Sequence, residues 1–226
     1  MPIEHSVKSF DTDLDALVNT IVEMGGVAES QVTWALAALT ERDLIAGQRA
    51  IDSDARLDEL EERVDQMAVR LFALRQPMAI DLRLVAMSLK ISNDLERVGD
   101  YSVNVAKRAR RLADAPPAPA IRSLGRLGRL CQDMLSDVID AYIQRDARKA
   151  MAVWHRDTEV DAFYDSVFRE LLTYVLEDPR TTSASIDLMF VAKHLERIGD
   201  HSTNIAERLH YVIHGDRINR PRSELP

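Results

Sequence analysis

The sequence predicts an all-α protein built as two tandem, pseudo-symmetric three-helix bundles, six long helices in all. Three observations carry this. The chain repeats itself: residues 93–108 read NDLERVGDYSVNVAKR and residues 193–208 read KHLERIGDHSTNIAER, with nine of the sixteen positions identical, where average composition gives roughly one match by chance. Proline is absent between Pro2 and Pro77 and again between Pro119 and Pro179. An interior proline removes a helix hydrogen bond and clashes with the preceding turn, so both stretches are free to be helical. Finally, apolar residues recur at spacings of three and four, not two.

Taken in order, the first helix is expected over 8–42. It contains Gly25-Gly26, which costs about 1 kcal/mol per glycine relative to alanine and marks a candidate bend or break. The second is expected over 44–75, ending at Pro77. The third, over 79–113, carries one narrow stripe: Leu84, Val85, Ser88, Ile91, Leu95, Val98, Ser102, Val105 and Ala109. Ser88, Gly99, Ser102 and Ala106 would let a neighbouring helix come close. Asp114-Ala-Pro-Pro-Ala-Pro119 is a proline-stiffened linker. The second set is expected over 122–145, 147–177 and 182–213. Arg42-Asp43 aligns with Arg145-Asp146 at an offset of 103, Asp54 and Asp58 with Asp157 and Asp161 at the same offset, and the final helices at 100. The domain reading is therefore 1–113 for the first repeat, 114–121 for the linker, 122–214 for the second repeat and 215–226 for a tail expected to be disordered.

Composition narrows the function classes. The net charge of −8 and pI near 5.3 argue against wrapping nucleic acid, which needs a dense basic surface; the basic run Lys107–Arg111 suits the C-terminal end of a helix dipole. A single cysteine, Cys131, excludes an internal disulfide framework. No stretch approaches the roughly 20 apolar residues needed to cross a bilayer, and no signal peptide is evident. A cytoplasmic protein is expected, one that meets a membrane only through partner proteins.

A duplicated core needs only matching hydrophobes, yet here acids are duplicated too. Glu96 and Asp100 match Glu196 and Asp200, and each pair shares one helix face because residues i and i+4 stack. Asp54/Asp58 and Asp157/Asp161 repeat the spacing on the middle helices. If the second and third helices of a repeat are neighbours, four carboxylates converge in each half. Oxygen-only ligands suit iron, manganese, magnesium or calcium, and also hold zinc. Gly99 and Gly199, beside the aspartates, give close packing a physical reason. Arg97, Arg197, Asn104 and Asn204 flank the acids as candidates to orient them. The plainer reading is that the acids are solvated or paired with Arg56, Arg97 and Arg197, and that Asp54 and Asp157 cap helix starts after a local break. Glu207 and His210 have the E-x-x-H spacing of di-iron bundles, but the first repeat lacks it. His194 and His201 replace Asp94 and Tyr101 and stand outside the shared set, though either could ligate in the second half. No glycine-rich phosphate loop or nucleophile motif occurs.

The doubled L-E-R-[VI]-G-D-x-S-x-N-[VI]-A, in a chain of this size, resembles the PhoU family, accessory regulators of the phosphate-specific transport system. The resemblance spans about residues 8–214. It implies two pseudo-symmetric three-helix bundles with multinuclear iron or zinc clusters in some members; by position one site would use Asp54, Asp58, Glu96 and Asp100 and the other Asp157, Asp161, Glu196 and Asp200. It further implies a non-enzymatic adaptor between the phosphate ABC transporter's ATPase subunit and a sensor histidine kinase, restraining uptake and signalling when phosphate is plentiful. The expectation that follows is a metal-binding homodimeric adaptor. The alternatives are a carboxylate-bridged metalloenzyme and a purely structural helical module.

Overall fold

The computed structural model describes residues 3–75, 77–116 and 118–218. Of the tail expected over 215–226, the part beyond Ile218 lies outside the described residues. Helices α1 (Ile3–Thr40), α2 (Leu44–Asp52), α3 (Asp54–Arg75) and α4 (Ala79–Arg111) form the first repeat, and α5 (Ala120–Gln144), α6 (Ala147–His155), α7 (Asp157–Glu177) and α8 (Thr182–His214) the second. A short 3-10 turn, Pro179–Thr181, precedes α8. The six expected rods are present, but the middle rod of each repeat is interrupted once, at Ser53 and at Arg156. Asp54 and Asp157 follow the breaks as the first residues of α3 and α7, where a carboxylate suits the positive end of the helix dipole. The glycine pair does not interrupt α1, which runs continuously through Gly25 and Gly26.

The duplicated Arg-Asp pair is turn chemistry. Arg42 and Arg145 adopt left-handed backbone conformations, with φ of 58° and 51°, and turn the chain out of α1 and α5. The next residue caps the following helix: Asp43 Oδ1 accepts from Ile45 N (3.0 Å) and Ala46 N (2.9 Å), and Asp146 Oδ1 from Arg148 N (2.8 Å) and Lys149 N (3.2 Å). Each cap satisfies backbone donors that the first helical turn otherwise leaves unpaired.

Every residue of the stripe read from α4 is buried, and α8 buries its matching face. The two repeats do not keep separate cores. One contiguous apolar cluster runs from Leu14 of α1 to Val212 of α8, and burial on that scale is the main stabilising term. Helices α4 and α8 pack antiparallel at the centre: Asp94 meets His201 at 2.9 Å, Tyr101 stacks on His194 at 5.6 Å between ring centroids, and Arg108 meets Asp187 at 2.5 Å. Helices α1 and α5 also run antiparallel, with side chains of one against glycines of the other: Ile139 beside Gly25, Leu36 beside Gly128, Thr40 beside Gly125.

The interface between repeats is partly polar. Buried Asp94 pairs with both His201 and Arg208. Burial pushes the Arg208 guanidinium down to about 10 and lowers the His201 imidazole. His194, where Asp94's counterpart would stand, is pushed down to about 4 by burial and by Arg108, so it is neutral near pH 7. Among the described residues no helix is long and apolar enough to cross a membrane.

Candidate metal centre

The position of each acid follows from how the middle and last helices of a repeat touch. At Gly99 a Cβ would collide with Leu57 of α3 and come within 2.7 Å of Gln31 Oε1; at Gly199 it would meet Val160 Cγ1 of α7 at 3.1 Å. Leu57 precedes Asp58 and Val160 precedes Asp161. The close approach that the glycines permit therefore carries the middle-helix aspartates up to the final helix.

In the second repeat, Asp161, Glu196 and Asp200 each present a ligand atom within 4.8 Å of the others. Glu196 is buried, Asp200 half-buried and Asp161 exposed, so the cluster opens outward from the α7–α8 groove. Asp157 lies beside this triad, not within it; it is buried and accepts a hydrogen bond from Thr203 Oγ1 at 3.0 Å. In the first repeat, Glu96 and Asp100 lie in hydrogen-bonding contact, and Asp54 feels repulsion from Asp100 and Asp58. All four acids gather at the α3–α4 groove, but among the described residues no three of them close into a group as tight as the second triad.

The electrostatics match crowded, half-sheltered carboxylates. Burial, followed by the negative charge of Asp100, raises Glu96 to about 7. Burial also raises Glu196 and Asp54. Both causes disfavour the charged form. The arginines expected beside the acids are there: Arg97 reaches Asp100 Oδ2 (3.1 Å) and Glu96 Oε2 (3.4 Å), and Arg197 reaches Asp200 Oδ2 (3.0 Å) and Glu196 Oε2 (3.8 Å). Arg56 pairs with Glu23 and Glu59 instead. Of the two asparagines, Asn104 is half-buried one turn beyond Asp100, and Asn204 lines a cleft between the repeats.

Two residues of this environment escaped the sequence reading. Lys193 Nζ binds Glu196 Oε1 at 2.6 Å; its i,i+3 spacing was visible, but its counterpart is Asn93, so comparing repeats hid it. Thr203 holds Asp157 where the first repeat has Val103. His201 and His194 face the other repeat and are not members of the acid triad. Cys131 is fully buried, and its thiol is pushed up to about 12 by burial, so it stays protonated and inert.

The donor set fits a hard cation. Glu96 Oε2 and Glu196 Oε2 are buried and receive no hydrogen bond among the described residues; the Arg97 and Arg197 guanidinium groups approach them only to 3.4 and 3.8 Å, and a buried carboxylate oxygen without a hydrogen bond is costly. One such oxygen occurs in each repeat, at the same motif position. An oxygen-coordinating cation satisfies such atoms and removes the mutual repulsion.

The sequence matches the family model described as PhoU domain twice, over residues 21–109 and 124–209. It is 49% identical over 223 residues to the phosphate-specific transport system accessory protein PhoU homolog of Caulobacter vibrioides, covering 98% of this chain and 97% of that one. The Rhizobium meliloti protein of the same description is 44% identical, with 98% and 93% covered. Among solved structures, PhoU from Pseudomonas aeruginosa superposes with a TM-score of 0.89 at 36% identity, covering 92% of this chain and 100% of that one. The phosphate transport system regulatory protein PhoU from Streptococcus pneumoniae superposes with a TM-score of 0.86 at 27% identity, covering 93% and 100%.

Proposed function

Because the chain belongs to the PhoU family, we propose that it is a metal-binding regulatory adaptor of phosphate uptake and signalling. In this reading it works as a homodimer in the cytoplasm. It couples the ATPase subunit of a phosphate ABC transporter to a sensor histidine kinase, and acts as a negative regulator when phosphate is plentiful. The relatives' names support an accessory role in phosphate transport, and they name no enzyme.

The observation that carries the metal component is the pair of buried glutamate oxygens that receive no hydrogen bond, Glu96 Oε2 and Glu196 Oε2, each on a residue crowded by other carboxylates. Glu196, Asp161 and Asp200 would hold a cation in the second repeat, with Asp157 adjacent; Glu96, Asp100, Asp54 and Asp58 would do so in the first. Iron, zinc, manganese or magnesium is compatible with the oxygen donors. Such a cation supplies positive charge and ties the middle helix of each repeat to its last helix. The protein's own groups do the rest. Arg97 and Arg197 orient the carboxylates, Thr203 fixes Asp157, and Lys193 competes for Glu196 Oε1.

Two measurements test this. Elemental analysis of protein purified without an affinity tag should find stoichiometric metal that is lost in Glu96→Gln and Glu196→Gln. Pull-downs with the transporter ATPase and with the sensor kinase should each recover the protein; failure with both overturns the adaptor reading whatever the metal content.

A further inference from the structure

The central α4–α8 contact is nearly two-fold symmetric, and its two sides are finished differently. On one side Asp187 reaches Arg108 (2.5 Å) and Arg111 (3.7 Å), and the Phe190 ring lies 4.0 Å from the Arg108 guanidinium carbon. An internal carboxylate thus sits between two guanidinium groups and an aromatic ring covers one of them. On the other side the equivalents of Asp187, Phe190 and Arg111 are Met87, Lys90 and Tyr211, so that this side presents Met87, Lys90, Arg208 and Tyr211. Here the internal carboxylate is gone, the ring is replaced by an ammonium group, and a cleft of about 230 Å³ opens, lined by Met87, Lys90, Asn204, Arg208, Tyr211 and Arg217, with Glu207 and Ile218 at its wall.

The charge in this cleft is locally positive in a chain of net charge −8. Three cations line it against one acid. Glu207 accepts a hydrogen bond from Trp154 Nε1 at 2.8 Å, which engages it with α6. Asp94 neutralises Arg208 from the buried side, but a guanidinium carries five donors in a fork and serves two acceptors. Lys90 and Arg217 make no ion pair among the described residues. The lining comes from three directions. Lys90 stands on α4; Asn204, Arg208 and Tyr211 share one face of α8 at i, i+4 and i+7. Gly215, at φ 83°, turns the chain after α8 and puts Arg217 on the cleft wall. That convergence of ammonium, guanidinium, amide and phenol donors suits a small tetrahedral oxyanion, whose four oxygens accept from several sides.

We propose that this cleft binds inorganic phosphate, which takes the place filled on the opposite side by the Asp187 carboxylate and links the two repeats through Lys90 and Arg208. The site is separate from the acid clusters, and it stands or falls independently of the metal reading.

Calorimetric titration of the full-length, tag-free protein with inorganic phosphate tests it, with sulfate and glycerol phosphate as comparison ligands. Saturable binding of phosphate at millimolar concentration is expected, weakened at least about tenfold, or about 1.4 kcal/mol, by Lys90→Glu and by Arg217→Glu. Both side chains are exposed, so thermal melts of the variants should show folded protein. Arg111→Ala, on the opposite side, and Glu196→Gln, in the acid cluster, should bind as the parent does. No saturable binding, or binding that survives both charge reversals, overturns the site. Loss of binding in Glu196→Gln assigns the anion to the acid cluster and also overturns it. Glycerol phosphate or sulfate binding more tightly than phosphate overturns the assignment to free phosphate.

Discussion

Replacing Gly99 by alanine separates two opposing terms that the structure makes explicit. A helix-interior glycine costs about 1 kcal/mol relative to alanine, so the substitution gains that much from backbone preference. Against it, the new methyl group would collide with Leu57, which is fully buried, and approach Gln31 Oε1 at 2.7 Å, also fully buried. Overpacking of this kind costs about 1–3 kcal/mol. The net is a loss of roughly 0–2 kcal/mol, or a fall of up to about 8 °C in melting temperature at 2–4 °C per kcal/mol for a chain of this size. Gly26 is the internal control: it is exposed, and a Cβ there meets nothing within 4 Å. Gly26→Ala should gain about 0.5–1 kcal/mol. Gly199→Ala, facing Val160 at 3.1 Å, should fall between the two. Thermal and urea unfolding of the three variants, in metal-free buffer, give the ordering. Gly99→Ala as stable as Gly26→Ala would refute the argument that close packing against α3 is why glycine stands beside Asp100. Metal content measured on the same proteins should drop in Gly99→Ala, because Asp58 moves with Leu57.

Three further outcomes are expected. Removing metal with a chelator should lower the melting temperature of the parent, since a ligand of the native state alone stabilises it, and should leave the double variant Glu96→Gln, Glu196→Gln unaffected; coincident melting curves for the parent would contradict the metal reading. In metal-free protein, Glu96 sits at about 7 against an ordinary value of 4.5, so the native state binds the extra proton between those values and stability must fall as pH rises from about 4.5 through 7; after allowance for solvent screening the effect is on the order of 1 kcal/mol, and it should vanish in Glu96→Gln on urea unfolding across that range. Gly215→Ala forces a side chain into the φ 83° conformation that ends α8, against Arg83 at 3.3 Å; a loss of about 1 kcal/mol or more is expected, and phosphate binding should weaken as Arg217 shifts.

Much of the helical frame was legible because helix periodicity is local. The α4 stripe from Leu84 to Ala109 needs only a spacing of three and four to be recognised, and all of it is buried. The duplicated Arg-Asp turns were visible as a repeat, but their meaning was not: a left-handed arginine followed by a capping aspartate is a statement about backbone angles. The breaks at Ser53 and Arg156 were legible only as the alternative in which Asp54 and Asp157 begin helices, since neither break residue is a glycine or proline and both stay near helical angles. In the acid clusters, spacing along one helix placed Glu196 and Asp200 on a common face. Only packing distinguished Asp161, which joins them, from Asp157, which Thr203 holds beside them.

The amino-acid order alone thus determined the class of fold, the duplication, the apolar faces and the recurrence of carboxylates at one-turn intervals, all of them properties of neighbours within a few residues. Tertiary structure decided that the two halves share one interior, that Asp94 faces His201 and Arg208 across it, and that the two flanks of α4 and α8 end up unlike. Those contacts join residues about a hundred positions apart. Asp94 and His201 stand where the repeats differ, so comparing one repeat with the other marks them as divergence, and Arg208 matches Arg108, so the comparison marks it only as common to both; neither result reveals them as partners.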